Sequence, residues 1–183
     1  MSKIIIGLVG SLASGKETAK KYLAEKYDAK DCRFSSILRD ILERAALPNS
    51  RDNLQKLSTV LRENFGENLL AKAIAMDASK LEADIVVIDG VRRFTDIEHL
   101  NELENFILVK IDADSKIRYE RMKARNENHG DDKKTFEEFL EDHMKEADKQ
   151  IPEVMKTAKH SIDNSETFDD LYKQIDEIIQ KLK

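Results

Sequence analysis

The sequence predicts an α/β fold in which a five-stranded parallel sheet lies between two layers of helices. Several short segments are continuously apolar, which is the pattern of strands that are covered on both faces. Between these segments, apolar residues recur with the 3.6-residue period of an α-helix. Strands that alternate with helices form parallel sheets, and this alternation runs along the whole chain.

The strands are the clearest elements. Continuous or almost continuous apolar runs cover residues 4–9, 85–88 and 106–111, and a shorter fourth strand is predicted at 160–162. A weaker candidate covers residues 32–34. Together these segments would supply the five strands of the sheet.

Helical stripes lie between and after the strands. Apolar residues at helical spacing occur within residues 37–45, 54–65, 136–147 and 168–182. Thr95 and Glu98 stand three apart just after the second strong strand, which predicts a capping box at the start of a further helix.

Composition and charge narrow the function classes. The chain has 183 residues, enough for one domain, and a net charge of −5 from 31 basic and 36 acidic residues. This balance argues against nucleic acid or an anionic membrane as the main partner. Cys32 is the only cysteine, so no intrachain disulfide can form. No apolar stretch approaches the roughly 18 residues of a membrane span, and we expect a cytoplasmic protein.

A glycine-rich segment directly after the first strand predicts a phosphate-binding loop, and with it the three-layer P-loop NTPase fold. Residues 10–18 match the pattern G-x-x-x-x-G-K and lead into a helical pattern. Glycines let backbone N–H groups turn toward phosphate oxygens, and Lys16 adds a full positive charge. A plain glycine turn between strand and helix is the alternative. The residues expected to hold ATP are Gly10, Ser11, Ala13, Ser14, Gly15, Lys16, Glu17 and Thr18.

The loop departs from the usual pattern at one position. The residue after the lysine is usually Ser or Thr, whose hydroxyl ligates Mg²⁺, but here it is Glu17, and Thr18 comes next. We expect Thr18 to contact the phosphates and the metal, and Glu17 to face solvent on the first helical turn. Mg²⁺ would then be held largely through water molecules.

A carboxylate ends the second strong strand. Asp89 follows the apolar run 85–88. Ligands of parallel sheets bind at the carboxyl ends of the strands, so Asp89 is expected near Lys16. There it would either orient Mg²⁺ or accept the proton of the attacking group.

With these two motifs the chain resembles the nucleoside monophosphate kinase-like group of P-loop proteins over nearly its whole length. The Gly-Lys-x-Thr end of the loop is similar to that of adenylate kinase, and Asp89-Gly90 followed by arginine resembles its Asp-Gly-x-x-Arg. In adenylate kinase this arginine binds the acceptor phosphate, which would select Arg93. An archaeal family of dephospho-CoA-kinase-like proteins has the arginine one place earlier. We therefore choose Arg92, with Arg93 as the alternative.

The resemblance implies further residues on the acceptor side. Segments 35–39, 51–55 and 62–66 are similar to parts of such kinases, in which arginines facing the cleft bind the acceptor phosphate. The corresponding residues here are Arg39, Arg51 and Arg62. A solvated surface charge is the alternative for each.

The resemblance also implies a lid and a contact with the base of the nucleotide. Segment 119–125 looks like the lid, in which Arg121 and Arg125 cover the transferring phosphoryl group. Salt bridges on the helix surface are the alternative. Segment 161–165 resembles the loop of dephospho-CoA kinases that packs beside the adenine ring, which brings Asn164 to the cofactor.

The function implied is transfer of the γ-phosphoryl group of Mg-ATP to a small phosphorylated acceptor, a nucleoside or deoxynucleoside monophosphate. Catalysis is assigned to Lys16, Asp89, Arg121 and Arg125. A helical acceptor-binding region is expected at about 36–80 and a lid at about 118–149. Dephospho-CoA kinase and a P-loop ATPase or nucleotide-dependent regulatory module are the alternatives. The sequence is compatible with a monomer or a homodimer.

Overall fold

The computed structural model describes residues 3–125, 131–141 and 149–183. Its strands are Ile4–Val9 (β1), Lys30–Arg33 (β2), Ile85–Asp89 (β3), Phe106–Asp112 (β4) and His160–Asp163 (β5). Its helices are Lys16–Tyr27 (α1), Phe34–Arg44 (α2), Arg51–Phe65 (α3), Leu69–Lys80 (α4), Phe94–Ile97 (α5), Ser115–Arg125 (α6), Phe136–Glu141 (α7), Ile151–Lys156 (α8) and Phe168–Leu182 (α9). A 3-10 turn, Asp131–Lys133, precedes α7.

The sheet has the strand order β2-β3-β1-β4-β5, and every neighbouring pair is parallel. This confirms the predicted five-stranded parallel sheet. Because β1 pairs with β3, the loop that follows Val9 begins beside the end of β3. Arg33 lies opposite Asp89 at the same edge of the sheet. The chain thus gathers the glycine-rich loop, Asp89 and the end of β2 in one place.

Two apolar clusters cover the two faces of the sheet. On one face Ile5 and Val9 of β1 pack with residues of α2, α4 and α8. On the other face Ile4, Ile6 and Leu8 pack with residues of α1 and α9. Successive side chains of a strand point to opposite faces, and both faces are covered here, so every position of β1 is buried. The continuous apolar run is the consequence of this double coverage.

A third, small cluster joins the glycine-rich loop to α6 and α7. Ala13 of the loop packs with Met122 of α6 and Phe139 of α7. Tyr119 and Phe136 close the cluster, with their ring centroids 5.4 Å apart. The first part of the expected lid is therefore anchored on the loop itself.

Several details differ from the sequence-based expectations. Phe34 begins α2 and does not extend β2. The predicted capping box at Thr95 is wrong, because Arg93 is the N-cap of α5 and Asp96 is the N3 residue that accepts from its N–H. Two parts of the expected lid lie outside the described residues, namely 126–130 and 142–148. The second part includes the end of the predicted stripe 136–147. Within the described part, no helix is long and apolar enough to cross a membrane.

Candidate functional site

The loop after β1 is built on two glycines that no other residue replaces without strain. A Cβ at Gly10 would overlap the carbonyl oxygen of Ile111, which belongs to β4. Gly15 has a φ of 106°, and a Cβ there would overlap the side-chain amide of Asn164. The loop thus lies against the backbone of β4 and against the side chain of Asn164, directly after β5, so closely that only glycine fits at these two positions.

Lys16 and the start of α1 give the loop its positive character. The Lys16 Nζ donates to the carbonyl oxygens of Gly10, at 2.6 Å, and Ser11, at 3.1 Å. The ammonium is therefore held over the first residues of the loop. Helix α1 begins at Lys16, and the preceding Gly15 has no side chain to cap it. A lysine beside the N-terminus of a helix is a suitable site for phosphate.

Asn164 supports the loop from behind. Its Nδ2 donates to the Ser14 carbonyl oxygen at 2.9 Å, and its backbone N–H donates to Asp112 at 2.7 Å. Only 2% of the residue is exposed. The resemblance placed the backbone of segment 161–165 beside the adenine ring, and the structure shows that the Asn164 side chain supports the loop backbone. Any contact with a base would come from the backbone of this segment.

Two arginines of α6 contact the same region. Arg121 donates to the Asn164 carbonyl oxygen at 2.9 Å. Arg118 is buried, and its guanidinium lies over the Phe139 ring. It donates to the carbonyl oxygens of Ala113, at 3.1 Å, and Leu12, at 3.4 Å. The sequence analysis named Arg118 only as the start of the lid. Its position three residues before Arg121, on the same helix face, was the available signal.

Asp89 lies next to a buried ammonium group that the sequence analysis missed. The Lys20 Nζ is 3.0 Å from Asp89 Oδ2 and 2.8 Å from Glu17 Oε2, and the lysine side chain is only 5% exposed. Asp31 of β2 is next, at 3.8 Å from the same nitrogen. Glu17 is half-exposed, as expected, but it pairs with Lys20 and lies 3.7 Å from Arg33.

These contacts change the ionisation of both partners on α1. The hydrogen bond with Lys20 lowers the pKa of Glu17 below its ordinary value. Burial alone would lower the pKa of Lys20, but its hydrogen bonds to Glu17 and Asp89 outweigh burial and raise that pKa. Both groups are therefore charged at neutral pH, and the cluster is a set of ion pairs.

The donor atoms near the loop fit a divalent cation that arrives with phosphates. In the portion of the chain that the structure covers, no group of three His, Cys, Asp or Glu side chains could enclose a metal. Mg²⁺ commonly uses one or two carboxylates together with water and substrate phosphates, and Asp89 satisfies that requirement. Its Oδ1 accepts from the Gly90 N–H at 2.9 Å, which fixes the carboxylate at the strand end. Thr18 is partly buried on the first turn of α1.

On the acceptor side, Arg62 is committed to the fold. Its Nη2 lies 2.7 Å from Asp96 Oδ1, and both side chains are buried. Asp96 Oδ2 accepts from the backbone N–H groups of Arg92, at 2.9 Å, and Arg93, at 3.0 Å. Arg62 thus holds the turn after β3. It was predicted to bind the acceptor phosphate, but its side chain is buried in this ion pair. The burial was not visible in the sequence because Asp96 is 34 residues away.

The other predicted arginines lie at the surface. Arg39 donates to Asn49 at 2.9 Å, and Arg51 is exposed at the start of α3. Arg92 is exposed, whereas Arg93 pairs with Glu67 at 3.3 Å. Arg125 is exposed at the end of α6. Their contacts with a substrate remain predictions.

Comparison with known proteins places the chain among P-loop proteins. A family model described as an AAA domain matches residues 9–140. A UPF0200 protein of Pyrococcus abyssi is 32% identical, over 98% of this chain and 97% of that protein. A UPF0200/UPF0201 protein of Archaeoglobus fulgidus is 29% identical over 97% of this chain, which spans only 55% of that longer protein.

Solved structures support the fold. Shikimate kinase from Bacteroides thetaiotaomicron superposes with a TM-score of 0.62 at 15% identity, and the match covers 98% of both chains. The five-stranded parallel sheet flanked by helices is the P-loop kinase-like arrangement shared with this protein. Kinases of this fold generally bind ATP with Mg²⁺.

The ion pair of Glu17 predicts a pH dependence of stability. Because its folded-state pKa is lowered, the stabilisation is complete above the ordinary pKa of a glutamate and is lost as the pH falls below that value through the lowered folded-state pKa. At pH 7 and low salt, Glu17→Gln should lower the free energy of unfolding by less than about 1 kcal/mol, since Glu17 is half-exposed. Urea unfolding at several pH values measures the difference. Glu25→Gln, an exposed change on α1, is the control, and a pH-independent difference for Glu17→Gln would contradict the account.

The buried pair of Arg62 and Asp96 predicts a large loss of stability. Arg62→Met should lower the free energy of unfolding by about 3 kcal/mol, because Asp96 is left buried without its partner. Arg51→Met removes an exposed arginine of the same helix and should change the free energy of unfolding by no more than about 0.5 kcal/mol. Urea unfolding compares the two variants, and equal effects would show that the pair does not stabilise the turn after β3.

Proposed function

The chain belongs to the UPF0200 family and contains an AAA domain of P-loop type, and from this premise we propose that it is an ATP-dependent phosphotransferase. The reaction moves the γ-phosphoryl group of ATP to a small phosphorylated acceptor, which we take to be a nucleoside or deoxynucleoside monophosphate. Dephospho-CoA kinase and a P-loop ATPase or nucleotide-dependent regulatory module are the alternatives, and an assay with different acceptors distinguishes them.

The observation that carries the proposal is the position of the Lys16 ammonium over the glycine-rich loop. The ammonium is fixed by the carbonyl oxygens of Gly10 and Ser11, so its position is set before any ligand arrives. The N-terminus of α1 starts at the same residue. A fixed cation and a helix N-terminus together favour the β- and γ-phosphates of a bound nucleotide and need little rearrangement to do so.

The chain's own residues divide the work between donor and acceptor. The loop backbone and Lys16 bind the triphosphate, and Asp89 positions the acceptor or would orient Mg²⁺ near the phosphates. Mg²⁺, when bound with the nucleotide near Thr18 and Asp89, neutralises the charge on the transferring phosphoryl group. Arg121, already seated against the Asn164 carbonyl, and Arg125 cover the transferring group from α6 and exclude water.

The acceptor is assigned to the side of the sheet where α2 and α3 present arginines. Arg39 and Arg51 are exposed on these helices, and Arg92 is exposed on the turn after Asp89. The Arg62–Asp96 pair fixes that turn through the backbone N–H groups of Arg92 and Arg93. Guanidinium groups suit a phosphate because they can donate two parallel hydrogen bonds. The choice of arginines for these positions favours a phosphorylated acceptor over one that offers a hydroxyl alone.

The proposal predicts acceptor-dependent formation of ADP from Mg-ATP. The assay compares each common nucleoside and deoxynucleoside monophosphate, dephospho-CoA and no acceptor. A monophosphate should stimulate ADP release at least tenfold over the acceptor-free rate. Lys16→Ala should abolish this turnover and keep the circular dichroism spectrum of the wild type. Lys21→Ala, an exposed change on the same helix, should keep both.

Each other outcome decides against the proposal in a distinct way. Stimulation by dephospho-CoA alone would assign the chain to dephospho-CoA kinases. ADP release that no acceptor changes would indicate an ATPase or a nucleotide-dependent regulatory module. Full turnover by Lys16→Ala would show that the loop lysine does not act on the phosphates.

A further inference from the structure

Lys20 is a buried charged side chain beside the site that the proposed reaction does not use. It lies one helical turn after Lys16, and its side chain is 5% exposed. Three carboxylates surround its nitrogen, from α1 (Glu17), β3 (Asp89) and β2 (Asp31), at 2.8, 3.0 and 3.8 Å. Burying an ammonium group is costly, and it occurs here because anionic partners on three different elements compensate it.

The placement of Glu17 explains why a cation is needed at this point. The usual loop pattern has a neutral hydroxyl after the lysine, whereas Glu17 adds a negative charge next to Asp89. Arg33 compensates part of the charge, since it lies 2.5 Å from Asp31 and 3.7 Å from Glu17. Lys20 bridges Glu17 and Asp89 directly.

We propose that the Lys20 ammonium is the resident counter-ion of Glu17 and Asp89, that it positions the Asp89 carboxylate, and that it prevents a divalent cation from binding there before the nucleotide does. Two close carboxylate oxygens are a sufficient protein contribution for Mg²⁺ or Mn²⁺. The Lys20 ammonium lies within hydrogen-bonding distance of Glu17 and Asp89. A metal ion between these two carboxylates would therefore be repelled by the positive charge of Lys20. In the proposed reaction the metal therefore arrives with the phosphates.

The proposal predicts a gain of metal binding when the charge of Lys20 is removed. Nucleotide-free protein is titrated with Mn²⁺, and free Mn²⁺ is followed by its electron paramagnetic resonance signal. Lys20→Met should bind about one Mn²⁺ per chain at least tenfold more tightly than the wild type. The double variant Lys20→Met/Asp89→Asn should lose this gain. Lys20→Arg, which keeps the charge, and Lys21→Met, which removes an exposed charge of the same helix, should resemble the wild type.

Thermal unfolding gives a second readout that a purely structural ion pair would not move. Mn²⁺ should raise the Tm of nucleotide-free Lys20→Met and leave that of the wild type unchanged, because a ligand that binds only the folded state stabilises it. If Lys20→Met does not fold alone, recovery of its fold on addition of Mn²⁺ supports the proposal, and failure to recover counts against it. Equal Mn²⁺ affinity in folded Lys20→Met and wild type would overturn it. No nucleotide is present, so the result does not depend on whether the protein transfers a phosphoryl group.

Discussion

The close approach of the glycine-rich loop to the ends of β4 and β5 is the constraint on which the rest of the site depends. Gly10 lies against the backbone of Ile111, and Gly15 lies against Asn164, with no space for a side chain at either position. This contact fixes where α1 begins and therefore where Lys16 and Lys20 project. Ala13, held at a φ of 61°, then packs its methyl group against Met122 and Phe139. Loop, sheet and α6 are thus parts of one packed unit.

Electrostatic compensation is the second feature of the site. Lys20 and Arg33 pair with the carboxylates of Asp89 and Asp31, and the Lys16 ammonium donates to two carbonyl oxygens of the loop. Lys20 and Arg33 therefore offset two of the three negative charges of Glu17, Asp31 and Asp89 beside the loop. This compensation lowers the repulsion that the three carboxylates would otherwise exert on a polyphosphate.

The fold was predictable because its signal is local. The three central strands are continuous or almost continuous apolar runs. Strand β1 has the predicted bounds, and β3 extends the predicted segment by one residue, Asp89. The glycine-rich loop was predictable for the same reason, since pattern, strand and helix follow one another. Helix α4 was not among the predicted stripes; its buried face is formed by Leu70, Ala71, Ile74, Ala75 and Ala78, three of which are alanines. The capping box of α5 was predicted at Thr95 and Glu98, but it forms between Arg93 and Asp96. Asp96 also pairs with Arg62, a contact that the local sequence does not indicate.

The ion pairs of the site were not predictable, because their partners are distant in sequence. Lys20 looked like one of many surface lysines until the sheet brought Asp89 to within 3.0 Å of it. Arg62 and Arg118 likewise became buried through contacts with Asp96 and with the loop carbonyl of Leu12. A charged residue in a charged helix carries no sign of its tertiary partner.

The central claim is that the loop and Lys16 grip the phosphates of a nucleotide. Isothermal titration calorimetry of the folded wild-type protein with ADP and Mg²⁺, and separately with adenosine, tests it most directly. The account predicts saturable binding of about one ADP per chain and much weaker binding of adenosine, because the phosphates supply the contacts. Equal affinity for both, or no heat with ADP or ATP in well-folded protein, would contradict it.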